Sequence, residues 1–435
     1  MQVRIVEWSA LTDDERSALL LRSESDVTDA VAVAESIVAD VARRGDTAVR
    51  ELSARLDRMT DPDLPLRVGD DEIADAVDRL DPNVRASLDY AIANVRSVHE
   101  TQREHQTTLT EVRPGVLAGE RTVAIDSVGL YVPRGRGSFP SMLYMLAIPA
   151  QIAGVRRVVV TTPPAPDGSV DAACLYAADR CGVNDVYRVG GAQAIAALAY
   201  GTESIPAVDK IVGPGSAYVA AAKRIVRDRI DVGLPAGPTE SAILADQSAD
   251  AFRVARDLLI EAEHGADSQA ILVTTDRTLA EQTARQIEQL IGETPEPRRS
   301  FLESVFAGYG AIITAATIED CADIVNSIAP EHLQIRTTDP FETMGLITNA
   351  AEILLGEHTP FSIANYAAGA NAVLPTGGFA RAWSGVSVRD FVKRSGIVHV
   401  SRGAYREIAG HAATLADYEG FYWHARALRD REEFR

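Results

Sequence analysis

The sequence predicts an α/β fold with parallel sheets, and three observations lead to that prediction. Short apolar segments alternate with longer amphipathic segments from residue 127 to residue 228. A second series with the same alternation runs from residue 241 to residue 356. Several short segments end at a glycine-containing loop, as strands do before a tight turn. Strands that alternate with helices of about ten or more residues form βαβ units, whose strands pair in parallel.

The composition fits a soluble globular protein with a large negative charge. The chain has 435 residues, enough for two or more domains, with 46% hydrophobic and 24% charged residues. Its formal net charge of −19 argues against nucleic acid or an anionic membrane as a partner, because both bind clustered positive charge. The N-terminus shows no secretion signal and the three cysteines show no paired spacing, so we expect a cytoplasmic protein with reduced thiols.

The elements follow in order along the chain. Residues 26–58 and 71–104 carry apolar positions at helical spacing, and the loop 61–66 separates them. The first series predicts strands at 127–133, 156–164, 185–190 and 208–213, and helices at 170–182, 192–201 and 216–228. The second series predicts strands at 241–246, 269–275, 309–317, 331–338 and 351–356, and helices at 251–265, 278–291 and 318–330. A tail from about residue 386 is too short for a domain of its own.

Three glycine loops of the first series are candidates for ligand binding. They are "GLYVPRGRG", "YRVGGAQ" and "KIVGPGS", and each leaves a predicted strand, where parallel sheets bind ligands. The segment "GPGSAY" opens a helix, whose free N–H groups suit an anion such as pyrophosphate. The GxGxxG fingerprint is absent, and glycine also serves tight turns, so these loops alone leave both interpretations open. Arg134 and Arg136 in the first loop can meet an anionic group or remain solvated.

Two carboxylate–imidazole pairs carry the candidate chemistry. In "IAPEHLQI", Glu331 and His332 stand side by side at the start of a predicted strand, where burial is costly unless the pair has a use. In "LIEAEHGADSQ", Glu261 and His264 share one face of a helix end, a spacing that suits two metal ligands. The alternatives are a loop glutamate beside a solvated or backbone-bonded histidine for the first pair, and a solvent-facing acidic helix for the second. In the tail, His424 follows Glu419, and a lone tail histidine is usually structural or exposed.

Several motifs together resemble one family, histidinol dehydrogenase. They occur in the family's order over nearly the whole chain: "GPGSAYVAAAKR", "AGPTES", "EAEHGADSQ", "APEHLQ", "NYAAGANAVLPT" and "YEGFYWHARA". The resemblance implies a zinc-dependent, NAD-linked enzyme that oxidises a primary alcohol through the aldehyde to the carboxylate. Glu331 is then expected to activate the water that adds to the aldehyde, and His332 to accept the hydroxyl proton.

The resemblance also assigns the remaining site residues. It implies that NAD contacts Tyr131, Gln193 and Ser216. It implies a single zinc ion held by Glu261, His264, Asn365 and His424. It implies that the substrate contacts Thr239, Glu261, His264, His332, Asn365, Glu419 and His424. Histidine biosynthesis, with L-histidinol as substrate, is the pathway that the family predicts.

The expected architecture is an intertwined homodimer with two incomplete Rossmann-like domains. The first α/β domain comprises 26–107 and 240–385 and carries the metal and catalytic residues. The second comprises 108–239 and binds NAD, while 1–25 form an N-terminal segment. The tail, 386–435, is expected to complete the active site of the partner subunit.

Five positions depart from the family pattern, whose metal ligands are Gln, His, Asp and His. Glu261 and Asn365 exchange the amide and the carboxylate, so one carboxylate remains among four ligands. The alternative is a degraded site in which Asn365 caps a turn. Ala372 replaces a histidine, Thr239 a serine and Ser216 an asparagine that touches NAD.

These departures leave three hypotheses for the function. L-histidinol stands first because it is the family's main substrate. A paralogue acting on another polar primary alcohol, such as a dihydroxypropane sulfonate, stands second, since polar pockets discriminate strongly. A catalytically silent homologue that binds NAD or metal stands third.

Overall fold

In a computed structural model of the chain, residues 2–19, 27–61, 63–104, 106–134 and 137–431 are described. The contacts divide the chain into two compact units. The first unit comprises Met1–Gln102 and Asp126–Asp390, and the second comprises Arg103–Ile125 and Phe391–Arg435. The domain boundaries expected from the sequence remain a prediction.

The described residues form strands and helices in alternation. The strands are β1 (Ile5–Glu7), β2 (Thr107–Arg113), β3 (Val116–Ala124), β4 (Ser127–Tyr131), β5 (Arg157–Thr162), β6 (Asp185–Arg188), β7 (Lys210–Val212), β8 (Glu240–Ala245), β9 (Gln269–Thr274), β10 (Ala311–Thr314), β11 (His332–Arg336), β12 (Glu352–Leu355) and β13 (Val392–Val400). The helices are α1 (Asp13–Leu19), α2 (Val27–Arg44), α3 (Asp46–Leu56), α4 (Asp70–Arg79), α5 (Pro82–Glu100), α6 (Pro140–Ala153), α7 (Ala172–Arg180), α8 (Gly191–Tyr200), α9 (Ala217–Val226), α10 (Ala251–Ala262), α11 (Arg277–Glu293), α12 (Arg298–Ala307), α13 (Ile318–Ile328), α14 (Pro340–Met344), α15 (Phe361–Tyr366), α16 (Tyr405–Tyr418) and α17 (Tyr422–Arg429).

A six-stranded parallel sheet forms the larger layer of the first unit. Its strand order is β1-β10-β9-β8-β11-β12, and β8 and β9 are buried along their whole length. Helices cover both faces: α10, α11 and α12 pack on one, and α13 packs on the other. Strands with two covered faces read as continuous apolar runs, which explains segments such as "AILA" and "AILV".

A four-stranded parallel sheet forms the second layer of the first unit, in the order β6-β5-β4-β7. Helices α8 and α9 pack against it, and α2 packs against both of them.

Several helices in this unit begin where a side chain accepts the first free N–H groups. Asp81 caps α5, Asp171 caps α7, and Thr317 with Asp320 forms a capping box on α13.

The second unit contains an antiparallel sheet that the sequence patterns did not reveal. Its order is β13-β3-β2, so the tail strand pairs with a hairpin from residues 107–124. Strand β2 is exposed at every position and carries the sequence "TTLTEVR", which lacks the alternation of a half-buried strand. Helices α16 and α17 follow and pack on each other.

The predicted fold class is confirmed: the chain is α/β with parallel sheets. Cys174, Cys181 and Cys321 are buried free thiols, as expected from their spacing. Within the described ranges, no helix is long and apolar enough to cross a bilayer.

A buried ion pair on the six-stranded sheet provides a stability test. Arg336, the last residue of β11, bonds to Asp257 of α10, and both residues are buried. Asp257→Ala would leave a buried guanidinium without its carboxylate, which should lower the free energy of unfolding by about 3–5 kcal/mol. Glu357→Ala breaks the exposed pair with Arg253 and should cost less than about 1 kcal/mol. Urea denaturation followed by tryptophan fluorescence measures both, and equal effects would contradict the prediction.

Candidate active site

A cavity of about 1400 Å³ opens between the two parallel sheets of the first unit. One wall comes from loops at the carboxyl ends of the four-stranded sheet. The opposite wall comes from residues at the amino ends of strands in the six-stranded sheet. Lining residues of the first wall are Tyr131, Pro133, Arg134, Pro163, Gly191, Pro214, Gly215 and Ser216. Lining residues of the second wall include Thr239, Ser268, Glu331 and His332, joined by Glu261, His264, Asn365 and Ala372.

The Glu331–His332 pair lies buried at the start of β11. Glu331 Oε2 accepts a hydrogen bond from the Thr239 hydroxyl at 2.7 Å and from the Glu240 N–H at 3.0 Å. Its other oxygen lies 3.8 Å from His332 Nε2. The β11 strand thus brings a carboxyl group and an imidazole edge together at the cavity.

Burial and neighbouring charges shift both groups. Burial raises the pKa of Glu331 to about 7, although the charge of His332 and two hydrogen bonds oppose the rise. Burial lowers the pKa of His332, but three carboxylates outweigh it and raise the pKa to about 10. They are those of Glu261, Glu331 and Glu352. Glu331 can therefore gain or lose a proton near neutral pH.

Thr239 connects the two carboxyl groups of the site. Its hydroxyl lies 2.7 Å from Glu331 and 3.1 Å from Glu261 Oε2. A hydroxyl has one hydrogen, so it donates to only one carboxylate at a time, and the other contact needs a proton on a carboxyl group. A pKa of about 7 lets Glu331 carry that proton in part of the molecules near neutral pH. Ionised Glu331 accepts from the Thr239 hydroxyl, whereas protonated Glu331 leaves the hydroxyl free to donate to Glu261.

Glu261 is fully buried in the last turn of α10 and lies at the centre of a second cluster. Its Oε1 accepts a hydrogen bond from Asn365 Nδ2 at 2.6 Å, and its Oε2 lies 3.3 Å from His264 Nδ1. Burial raises the pKa of Glu261, but the charges of His332 and His264 and the bonds from Asn365 and Thr239 outweigh burial. The pKa of Glu261 is consequently below its ordinary value, and this carboxylate is ionised.

This cluster supplies three suitable zinc ligands. The amide of Asn365 presents either its NH₂ or its carbonyl oxygen, because a flip exchanges the two. One carboxylate, one imidazole and one amide oxygen occupy three positions of a tetrahedral site and leave the fourth open. The described part of the chain contains no group of three His, Cys, Asp or Glu residues that could hold a metal. In the cluster of Glu261, His264 and Asn365, the third donor is an amide. The residues present therefore fit an incomplete cation site.

Glu352 is a site residue that the sequence patterns did not identify. It begins β12, and in the parallel register it lies directly opposite His332. Its Oε2 lies 2.7 Å from His332 Nδ1. The available signal was a lone carboxylate at the head of the apolar segment "EILL", but only the strand order shows that β12 neighbours β11.

Of the three residues expected to contact NAD, Tyr131 and Ser216 line the first wall, whereas Gln193 is buried behind it and does not line the cavity. Tyr131 ends β4, and its hydroxyl accepts a hydrogen bond from the Gly191 N–H at 3.1 Å. Burial raises the pKa of this phenol to about 12, so the hydroxyl stays protonated. Ser216 stands at the N-cap position of α9 without a capping hydrogen bond from its side chain, and it lines the cavity. Gln193 is buried on α8, and its Nε2 donates to Asp57, a cavity residue, at 3.3 Å.

The tail residues lie in the second unit. Glu419 follows α16, and His424 lies on α17 beside Phe421, with ring centroids 5.0 Å apart. Both Glu419 and His424 are exposed. Among the loop arginines, Arg134 is exposed at the cavity, whereas Arg136 lies outside the described residues.

Comparisons with known proteins agree over the whole chain. The family model for histidinol dehydrogenase matches residues 20–432. A histidinol dehydrogenase of Synechocystis sp. is 46% identical over 429 residues, which cover 99% of both chains. A "histidinol dehydrogenase homolog" of Rhizobium meliloti is 47% identical and covers 98% of this chain and 94% of its own.

A solved structure agrees with the fold as well. The crystal structure of histidinol dehydrogenase from Elizabethkingia anophelis superposes with a TM-score of 0.92 at 32% identity. The match covers 98% of this chain and 97% of that one. The chain therefore belongs to the histidinol dehydrogenase family, and it is an oxidoreductase.

Proposed function

We propose that this protein oxidises a small polar primary alcohol to the carboxylate with NAD, and that L-histidinol is its first candidate substrate. The observation that supports this most is the buried Glu331–His332 pair at a cavity whose opposite wall is built from glycine loops. The conversion of one alcohol and one water yields one carboxylate, two reduced NAD molecules and three protons. The site must therefore accept protons and add one water.

His332 is proposed to take the proton of the substrate hydroxyl, and Glu331 to take a proton from the water that attacks the aldehyde. A pKa of about 7 suits Glu331 for that exchange, because a base works best near the operating pH. Burial lowers the pKa of His332, and among the carboxylates that raise it the charge of Glu261 has the largest effect. A divalent cation bound to Glu261 would cancel that charge and lower the pKa of His332 toward the range of a general base.

We propose that Glu261, His264 and Asn365 hold a zinc ion together with His424 of a second copy. When bound, zinc would polarise the substrate oxygen as a Lewis acid and orient the substrate. The exchange of Glu261 and Asn365 relative to the family pattern keeps one carboxylate in the set, so the charge of the ligands is unchanged. Thr239 and Glu419 are proposed as further substrate contacts.

The electron acceptor is proposed to lie against the first wall of the cavity. Tyr131 and Ser216 line this wall, and Gln193 holds Asp57 beside it. Gly213 must be glycine here, because its φ is +123° and a Cβ would lie 2.1 Å from the Tyr131 carbonyl oxygen. This close approach brings the loop before α9 against the end of β4, where NAD is expected.

A homodimer with exchanged tails is part of this proposal, and it predicts complementation between two inactive variants. Glu261→Ala and His424→Ala each remove one ligand. If His424 serves the partner's site, a mixed dimer has one intact site, so refolding the variants together should restore about a quarter of wild-type activity. The NADH formation rate of the mixture measures this.

Each variant refolded alone is the control for the mixture. Recovery should be absent in both controls and should need co-refolding, because the chains must exchange. A mixture as inactive as its components would show that all ligands come from one chain.

Another polar primary alcohol, such as a dihydroxypropane sulfonate, is the second candidate substrate. Ala372 lines the cavity where the family pattern has histidine, so the change alters the pocket itself. The exposed Arg134 lines the same cavity and can meet an anionic group. The buried Glu331–His332 pair argues against the catalytically silent homologue, because such a protein has no need of two adjacent acid–base groups.

Turnover by the purified protein tests the proposal. The protein is incubated with zinc, NAD and either L-histidinol or a dihydroxypropane sulfonate, and NADH is followed by absorbance while carboxylate is quantified. Two NADH per carboxylate with L-histidinol supports the first candidate. Turnover of the sulfonate alone supports the second, and no turnover with a wide panel of primary alcohols overturns the proposal.

A further inference from the structure

The imidazole of His332 is held from two sides. Glu352 Oε2 lies 2.7 Å from its Nδ1, and both residues are buried, at 8% and 3% exposure. The ring of Phe361 meets the imidazole edge-on, with centroids 5.8 Å apart. The parallel pairing of β11 and β12 places Glu352 directly opposite His332, so backbone hydrogen bonds fix this contact. The ring therefore has little freedom to turn.

The contact determines which nitrogen carries the hydrogen. An ionised carboxylate only accepts hydrogen bonds, so the Nδ1 that faces Glu352 must carry a hydrogen. In the neutral ring, the lone pair is then on Nε2. Nε2 lies on the side of Glu331, at 3.8 Å from its carboxyl oxygen, and His332 lines the cavity.

The position of Glu352 costs stability unless the carboxylate has a use. Its Oε1 is buried and has no hydrogen-bond partner among the described atoms. Burial of a half-satisfied carboxylate is unfavourable, and an apolar residue at the head of β12 would avoid that penalty. The hydrogen bond to His332 is the use that explains a buried carboxylate at this position.

We infer that Glu352 is a positioning residue, which holds His332 in the tautomer whose Nε2 can accept the substrate proton. The inference rests on the proposed function, in which His332 is the base. Glu352 acts through His332 and is not proposed to touch the substrate.

Four variants and one spectrum test the inference. Glu352→Gln offers an NH₂ group to Nδ1 and so permits the wrong tautomer, while Glu352→Ala removes the partner. Both should lower kcat by about 10²–10⁴-fold, the range for a lost or misdirected general base. Glu352→Asp keeps a carboxylate and should retain more activity than Glu352→Gln. The control is Glu357→Gln, an exposed residue on the loop after β12, which should match the wild type.

The readouts separate positioning from folding. The KM for NAD and the Kd for NADH, measured by nicotinamide fluorescence, should stay within about threefold of wild type in all four variants. In ¹⁵N-histidine-labelled wild-type protein, titrated until the ring is neutral, the His332 signal should show a protonated Nδ1 and an unprotonated Nε2, with the assignment made by its loss in His332→Asn. An unprotonated Nδ1 would overturn the inference, and this measurement needs no folded Glu352 variant.

The activity data distinguish two failures. A wild-type protein that oxidises no alcohol overturns the proposed function. An active wild type with kcat of Glu352→Gln and Glu352→Ala within threefold of its own overturns only the role of Glu352.

Discussion

Replacement of His332 by asparagine is expected to lower kcat for NADH formation by about 10²–10⁴-fold, the usual contribution of a general base. Asparagine is smaller than histidine but can keep a polar group near the position of Nδ1, and its amide cannot accept a proton at neutral pH. The Kd for NADH should remain close to that of the wild type, because His332 belongs to the wall opposite the glycine loops. Initial rates at saturating NAD and alcohol measure the effect.

His358→Asn is the matched control for this prediction. His358 follows β12 and is exposed outside the cavity, so its replacement should leave kcat unchanged. If His332→Asn kept more than about a tenth of wild-type kcat, another group would have to be the base.

Exchange of Glu261 for glutamine is expected to remove zinc from the proposed site. In the proposed ligand set, the single variant leaves two histidines and two amides, with no carboxylate to balance the cation. The loss of affinity should exceed about 100-fold, the upper range for changes around a ligand, because this change alters a ligand itself. Zinc content after dialysis, measured by atomic absorption, should fall from about one ion per chain to nearly none.

The double variant Glu261→Gln with Asn365→Asp provides the matched comparison. It restores one carboxylate on the other side of the 2.6 Å contact, so zinc content should recover relative to the single variant. Asn365→Asp alone puts a second carboxylate beside Glu261 and should bind cations more tightly while destabilising the metal-free protein. Full zinc occupancy in Glu261→Gln would show that the carboxylate of Glu261 is not needed to hold the ion.

Local patterns predicted strands β4 to β12 and most of the helices between them, but they missed elements of the first unit such as β1, α6 and α12. Strands such as β9 and β11 carry continuous apolar runs because both sheet faces are covered, and helices such as α11 have a clear amphipathic stripe. The hairpin of β2 and β3 was missed because its exposed positions carry no period. Its partner β13 is more than 250 residues further along the chain, and pairing at that distance leaves no local mark.

Chain order revealed part of the candidate site. Glu331 and His332 are adjacent, and Glu261 and His264 are one helical turn apart, so each pair was visible in the sequence. Thr239 as the link between two carboxyl groups, and Glu352 beside His332, depend on the strand order of the six-stranded sheet. The rule that parallel sheets bind ligands at their carboxyl ends suited the four-stranded sheet only, because the second wall uses the opposite edge of its strands.

The two walls of the cavity come from different stretches of the chain. The first wall comes from residues 131–216 and the second mainly from residues 239–372. Point changes in the second stretch can therefore alter the substrate preference while the surface proposed for NAD stays unchanged. Four of the five departures from the family pattern, at 239, 261, 365 and 372, fall in the second stretch. This arrangement allows substrate specificity to diverge through a few substitutions without any change to the wall proposed for the cofactor.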